Sequence, residues 1–279
     1  MAAKTKLLYG VLQLNQTPKL KAQLKSDSMN AGTTIVAGAG GRIGRALTLS
    51  LTAQGKTVAV VDPNPEIHHL FEKEVKLGRL LVFKEDATDP KQLDRVIGEC
   101  ERAFGPVTAA VNCSYPRTKN YGADFLEAAA KDVRAHVGDH IGGTIIFAQR
   151  VMKHFLENKF GRLVFLSSIQ GVHPPKFHHY EQTNMTCPIE YAASKAAIIH
   201  ITKYLAKKYA QKGVTVNCVS PGGVLDNQVD TFIQRYKDNC NSKGLLSEPD
   251  IVPHIEMLLS EKGRFITGQN IIIDDGWGL

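Results

Sequence analysis

Tyr191 and Lys195 stand four residues apart in Tyr191-Ala-Ala-Ser-Lys195. On a helix that spacing puts a phenol and an ammonium on one face, one turn apart. A tyrosine with the ordinary pKa of about 10 is a poor base at neutral pH, and an ammonium held beside it stabilises the phenolate. The pair is a candidate proton-transfer device. The same spacing also arises by chance on helix surfaces, so its meaning depends on the elements around it.

The first of those elements is a short β-branched run, Thr33-Thr-Ile-Val-Ala37, followed by Gly38-Ala-Gly-Gly-Arg-Ile-Gly44 and a helical pattern that ends at Gly55. Strand, glycine turn and helix is the context that binds a dinucleotide. Gly38, Gly40, Gly41 and Gly44, with Arg42 and Ile43 between them, allow backbone amides to approach a pyrophosphate at the positive end of the helix. A second strand, Lys56 to Val61, ends at Asp62. A carboxylate there accepts hydrogen bonds from ribose hydroxyls and repels a 2′-phosphate, which favours NAD; Arg42 and Arg45 keep NADP as a second option.

Strands are expected at Leu80–Phe83, Val107–Val111, Gly161–Leu166, Val214–Val219 and Ile271–Ile273. Helices are expected over Pro90–Phe104, most of Asp124–Leu156, and Tyr191–Gln211. This alternation predicts an α/β fold: one Rossmann-like, doubly wound parallel sheet with helices on both faces, spanning residues 32–279.

The formal net charge is +7, yet residues 1–30 hold five lysines against Asp27, so the remainder is nearly neutral. We therefore read residues 1–31 as a basic, flexible extension, with Met29 an alternative start, and expect no nucleic-acid partner. No apolar run is long enough to span a bilayer and no secretory signal is present, so the expectation is a cytoplasmic protein without a membrane partner. Five scattered cysteines without a C-x-x-C pair indicate neither disulfides nor zinc, and no metal is expected.

Six features occur in register: the glycine turn, Asp62, Asp86 with Ala87, Asn112, Ser167-Ser168 with Tyr191-x-x-x-Lys195, and Asn217-x-x-Ser-Pro-Gly222. In this order the chain resembles the short-chain dehydrogenase/reductase family over about residues 32–279. Residues 190–200, 217–224 and 268–277 are further similar to a bacterial subgroup associated with flagellin glycosylation and activated nonulosonic (legionaminic-type) sugars. The resemblance implies hydride transfer between nicotinamide and a hydroxyl or keto carbon. It assigns acid/base work to Tyr191, support of the phenolate and ribose binding to Lys195, and the substrate oxygen to Ser168. Cofactor contacts are implied at Asp86, Ala87, Asn112, Pro221, Gly222 and Val224, and assembly as a homodimer or homotetramer.

Departures from the family pattern are informative. Arg42 replaces a glycine of the turn, Asn112-Cys-Ser replaces Asn-Ala-Gly, Asp226 replaces a threonine, and His140 stands where an asparagine normally organises a water. A histidine there could hold that water or shuttle a proton near neutrality. A lengthened segment, His173 to Glu181, must lie over the pocket, and with Arg117 and Lys119 it could offer Lys176, His178 and His179 to an anionic, sugar-derived small molecule. Residues 224–244 are expected to form a lid. The alternatives are a 3-oxoacyl or small-ketone reductase of the same fold and a non-catalytic NAD(H)-sensing protein.

Overall fold

In a computed structural model the described residues are 32–279; the basic extension expected before them lies outside this range. The chain runs β1 (Thr33–Ala37), α1 (Arg42–Ala53), β2 (Val58–Val61), the short helices α2 (Ile67–Leu70) and α3 (Glu72–Lys76), β3 (Leu80–Phe83), α4 (Pro90–Phe104) and β4 (Val107–Asn112). It continues through α5 (Ala130–Val137), a π turn (Gly138–Gly142), α6 (Gly143–Asn158), β5 (Gly161–Leu166), α7 (Ile189–Lys208), β6 (Val214–Pro221), α8 (Asp230–Lys237), α9 (Glu248–Leu259) and β7 (Asn270–Ile273).

All neighbouring strands pair in parallel, in the order β3-β2-β1-β4-β5-β6-β7. Strand β1 shows why a three-layer structure results. Ile35 and Ala37 enter one apolar cluster with Leu93 and Val96 of α4, Phe147 and Phe155 of α6, and Ile198 of α7. Val36, between them, enters the cluster on the other face with Leu47 and Leu51 of α1 and Ile251 and Ile255 of α9. Successive side chains alternate across a strand, so burial on both faces demands apolar residues at every position, and β1 is buried throughout.

After β3 the chain returns to the far side of β1 to lay down β4. The loops following β1 and β4 therefore diverge and open a crevice at the carboxyl ends of the strands, where doubly wound sheets bind ligands. The long helix expected across residues 124–156 is interrupted: regular α-helix begins only at Ala130, and Gly138–Gly142 form the π turn. Glycines at 138, 142 and 143 disfavour straight α-helix and admit the wider turn.

Local chemistry sets the helix ends. At α4, Asp89 Oδ1 accepts from the amides of Lys91 (2.8 Å) and Gln92 (3.0 Å), and Pro90 occupies the first helical position, where its missing N–H costs nothing. Replacing Asp89 by Ala should lower unfolding stability by about 0.5–2 kcal/mol. In urea titration the midpoint should fall while the slope is unchanged; an unchanged midpoint would remove the cap from the account of α4.

Candidate active site

The glycine turn between β1 and α1 is closed by its own backbone. Gly38 donates to Val61 O (2.9 Å) and Gly41 to Gly38 O (3.2 Å). A Cβ on Gly44 would lie 2.4 Å from Gly38 O, and Gly38 has φ +72°, so neither position tolerates a side chain. Helix α1 starts with no side-chain cap and no acidic residue in its first turn, leaving the amides of Arg42, Ile43 and Gly44 at its positive end. Asp62 fixes the turn from β2: its Oδ2 accepts from Gly40 N (2.8 Å) and its Oδ1 from Asn64 N (2.9 Å). A cleft of about 340 Å³ runs past this point, lined among others by Gly38, Asp62, Asp86, Ala87, Ser114 and Tyr115. Uncapped amides to donate, a carboxylate to accept and a glycine cradle that a Cβ would fill are the groups a dinucleotide requires.

The other expected cofactor residues stand at or just beyond the carboxyl ends of β3, β4 and β6. Asn112 ends β4, buried, with its Oδ1 accepting from Ser114 N (2.9 Å). Asp86 turns its carboxylate to Thr88 N (2.8 Å). Pro221 ends β6; Gly222 donates to Ile273 O (2.7 Å), and Val224 bridges to Leu246. The side chain of Arg42 swings away to Glu248 (2.6 Å), Asp226 (3.4 Å) and the Leu225 carbonyl, so only its amide faces the turn.

Ser168, Tyr191 and Lys195 meet at the carboxyl end of β5. Lys195, only 5% exposed, donates from Nζ to Leu166 O (3.0 Å). Ser167 Oγ donates to Lys195 O (2.7 Å), whereas Ser168 Oγ accepts from Gln170 N (3.2 Å) and lies within reach of the Tyr191 phenol. The two serines thus divide the work: one seats α7 on the strand and the other addresses the phenol. Burial pushes Tyr191 up to about 12, with the neighbouring Ser168 hydroxyl acting the other way, and burial pulls Lys195 down to about 8. At neutral pH the phenol holds its proton and the amine is charged, which suits proton donation to a carbonyl. Burial likewise pushes the Cys113 thiol up to about 12, so it is not a nucleophile here.

His140 sits in the π turn, 2% exposed. Burial, then the charge of Lys195, lowers its pKa to about 3, against a hydrogen bond to the Pro116 backbone. The expectation of a group titrating near neutrality gives way to an imidazole that is neutral at physiological pH and whose Nε2 has no partner among the described residues.

Tyr115 and His136 escaped the reading of the sequence. The Tyr115 ring lies 5.3 Å from that of Tyr191 and 4.9 Å from His140, and Lys195 Nζ is 5.4 Å from its centroid. Its hydroxyl bonds that of Tyr121, which stacks on buried His136 at 5.3 Å. The Arg117 guanidinium, exposed to solvent, lies 4.9 Å from the Tyr115 ring and 5.7 Å from that of Tyr121. The only signal in the sequence was the density of aromatic and histidine residues between positions 115 and 140.

The lengthened 173–181 segment takes a different part from the one its charges suggest. Lys176 Nζ donates to Trp277 O (2.8 Å) and Asn239 Oδ1 (3.1 Å), and His179 is buried against Phe232, Tyr236 and Trp277. His178 is exposed. Among the described residues no group of three or more His, Cys, Asp or Glu side chains is placed to hold a metal ion, and no helix is long and apolar enough to cross a membrane.

Comparison with known proteins agrees with this arrangement. Residues 38–278 match the family model described as Enoyl-(Acyl carrier protein) reductase. The chain is 37% identical to "Post-translational flagellin modification protein A" of Campylobacter coli over 254 residues, covering 88% of this chain and 97% of the relative. It is 27% identical to a 3-oxoacyl-[acyl-carrier-protein] reductase of Thermotoga maritima, covering 87% and 96%. Among solved structures, a short-chain dehydrogenase from Leptospira borgpetersenii with bound NAD+ superposes with TM-score 0.79 at 28% identity, covering 91% of this chain and 96% of that one.

The buried imidazole predicts an acid response. Below pH 6.5 the unfolded chain protonates His140, whereas the folded chain refuses that proton down to about pH 3. The unfolded state then binds more protons, so stability falls as pH drops through this window. In denaturation measured across the window, His140→Asn should lose stability less steeply than wild type; an equal slope would contradict the assignment.

Proposed function

The chain belongs to the short-chain dehydrogenase/reductase family of NAD(P)-dependent oxidoreductases, and from that premise we propose that it transfers hydride between NAD and a hydroxyl or keto carbon of a polar, sugar-derived, anionic substrate. The observation that carries the chemistry is the Tyr191 phenol with Ser168 beside it and a buried lysine one helical turn on, at the carboxyl end of β5. When bound, the nicotinamide supplies or takes up the hydride. In the reducing direction the phenol of Tyr191 donates its proton to the substrate oxygen while Ser168 holds that oxygen in place. Lys195, charged below about pH 8, favours the phenolate that remains. His140, a neutral imidazole, leaves its Nε2 acceptor without a partner among the described residues. In the oxidising direction the same groups act in reverse.

NAD is favoured over NADP by the Asp62 carboxylate and by the diversion of Arg42 to Glu248 and Asp226. The sugar-derived substrate is supported by the relative from Campylobacter coli, named for flagellin modification, and by Arg117. Stacked over two tyrosine rings and exposed, its guanidinium is pre-ordered for a carboxylate or phosphate. Lys176 and its neighbours support the segment above the pocket instead of the anion. A homodimer or homotetramer fits the exposed Tyr204 on α7 and Ile272 on the edge strand β7. The second reading, a 3-oxoacyl reductase, draws on the likeness to the Thermotoga maritima enzyme.

NADH absorbance should be followed with a panel of sugar phosphates, nucleotide sugars and acetoacetyl-coenzyme A. We expect turnover with an anionic sugar that falls by roughly 10²–10⁴-fold in Tyr191→Phe. Ser168→Ala should cost roughly 10²-fold, and Asp62→Ala should narrow the preference for NAD over NADP. Turnover confined to the acyl thioester would move the assignment to the second reading. Turnover undiminished in Tyr191→Phe would remove the phenol from the mechanism.

A further inference from the structure

The helix α8 over residues 230–237 carries its apolar side chains at 232 and 236, one turn apart, and both are buried. Tyr236 is only 3% exposed, yet its hydroxyl is not idle: Gly223 N donates to it at 2.6 Å. Gly223 follows the Pro221-Gly222 turn at the end of β6, and a Cβ on Gly222 would lie 3.0 Å from the same hydroxyl. The phenol therefore fills the space directly behind the turn and holds its backbone from the lid side.

What fixes Tyr236 is assembled from two distant segments. Its ring stacks on Trp277, with centroids 5.7 Å apart and planes 16° from parallel, and His179 packs against both rings. Trp277 is 1% exposed and is held by Lys176, whose ammonium lies 4.7 Å from the indole centroid and donates to the Trp277 carbonyl. Lys176 also reaches Asn239, two residues beyond α8. The exit of α8 is tied to the same tail: Asp275 Oδ2 accepts from Ser242 N (3.0 Å) and Gly244 N (2.7 Å). The lengthened 173–181 segment, the C-terminal tail and the lid thus form one packed unit ending at the Gly223 amide.

We propose that Tyr236 is a positioning residue for the cofactor: braced by Trp277 and Lys176, it holds the Pro221–Gly223 turn in the shape that receives the nicotinamide end of the dinucleotide. This rests on the assignment of that turn to cofactor binding. The lengthened segment then contributes to cofactor affinity from behind the lid, without touching the cofactor. A polar side chain buried among aromatic rings has to be paired, and here the pairing partner is the backbone of the turn itself.

The test is NADH affinity by fluorescence titration, together with hydrogen exchange at the Gly223 amide. Tyr236→Phe keeps the stack on Trp277 and deletes the hydroxyl. We expect NADH binding to weaken roughly three- to tenfold and the Gly223 amide to exchange faster, with little change in thermal midpoint. Lys176→Met should weaken binding in the same direction and by less, and the double variant should be no weaker than Tyr236→Phe alone, because both act through one chain of contacts. Asp62→Ala, at the other end of the cleft, serves as the control. If Asp62→Ala weakens binding while Tyr236→Phe leaves affinity and Gly223 exchange at wild-type values, the role of Tyr236 falls and the cofactor site stands. If wild type binds no NADH, the cofactor reading falls and takes this proposal with it. Additive losses in the double variant would sever Lys176 from the brace.

Discussion

The site depends on how α7 is seated on the end of β5. Three contacts make the joint: Lys195 Nζ to Leu166 O, Ser167 Oγ to Lys195 O, and the approach of Gly171 to the backbone of Lys195, where a Cβ would meet the carbonyl carbon at 2.6 Å. Burying an ammonium without a counter-ion is costly, and the cost is tolerated here because a backbone carbonyl accepts from it and because its pKa has fallen. Shift α7 by one residue and the phenol would turn away from Ser168, since helical neighbours point about 100° apart. Chemistry and folding thus share one set of bonds.

Around this joint the electrostatics are arranged by exclusion of water more than by charge pairing. Tyr191 is raised, Lys195 is lowered and His140 is kept neutral, and burial is the leading cause in each case. A neutral imidazole beside a charged amine adds no like charge to the site. Tyr115, packed against Tyr191, His140 and Lys195, supplies the apolar wall that maintains these shifts.

Much of this was legible in the sequence. The limits of β3, α4 and β5 coincide with those the pattern of apolar residues indicates, because those segments are punctuated by glycine, proline and an N-cap aspartate. The glycine turn and the Tyr/Lys spacing are local signals, and local signals survive into structure. Tyr115 and His136 were missed because their setting comes from α5, the π turn and α7 converging, which no spacing along the chain encodes. Lys176 is the opposite case. Its charge invited an anion, whereas a carbonyl and an indole face brought in from the C-terminal tail engage it first.

The side chain of Arg42 leaves the glycine turn to join Glu248 and Asp226. With the Arg42 charge already met, what the start of α1 offers to an anion is the dipoles of its uncapped peptide amides. Dipoles carry no counter-ions to be displaced and act over a few ångströms, inside the reach of screening. The guanidinium instead ties the first turn of α1 to the first turn of α9, so that a charged side chain at the mouth of the turn serves the scaffold.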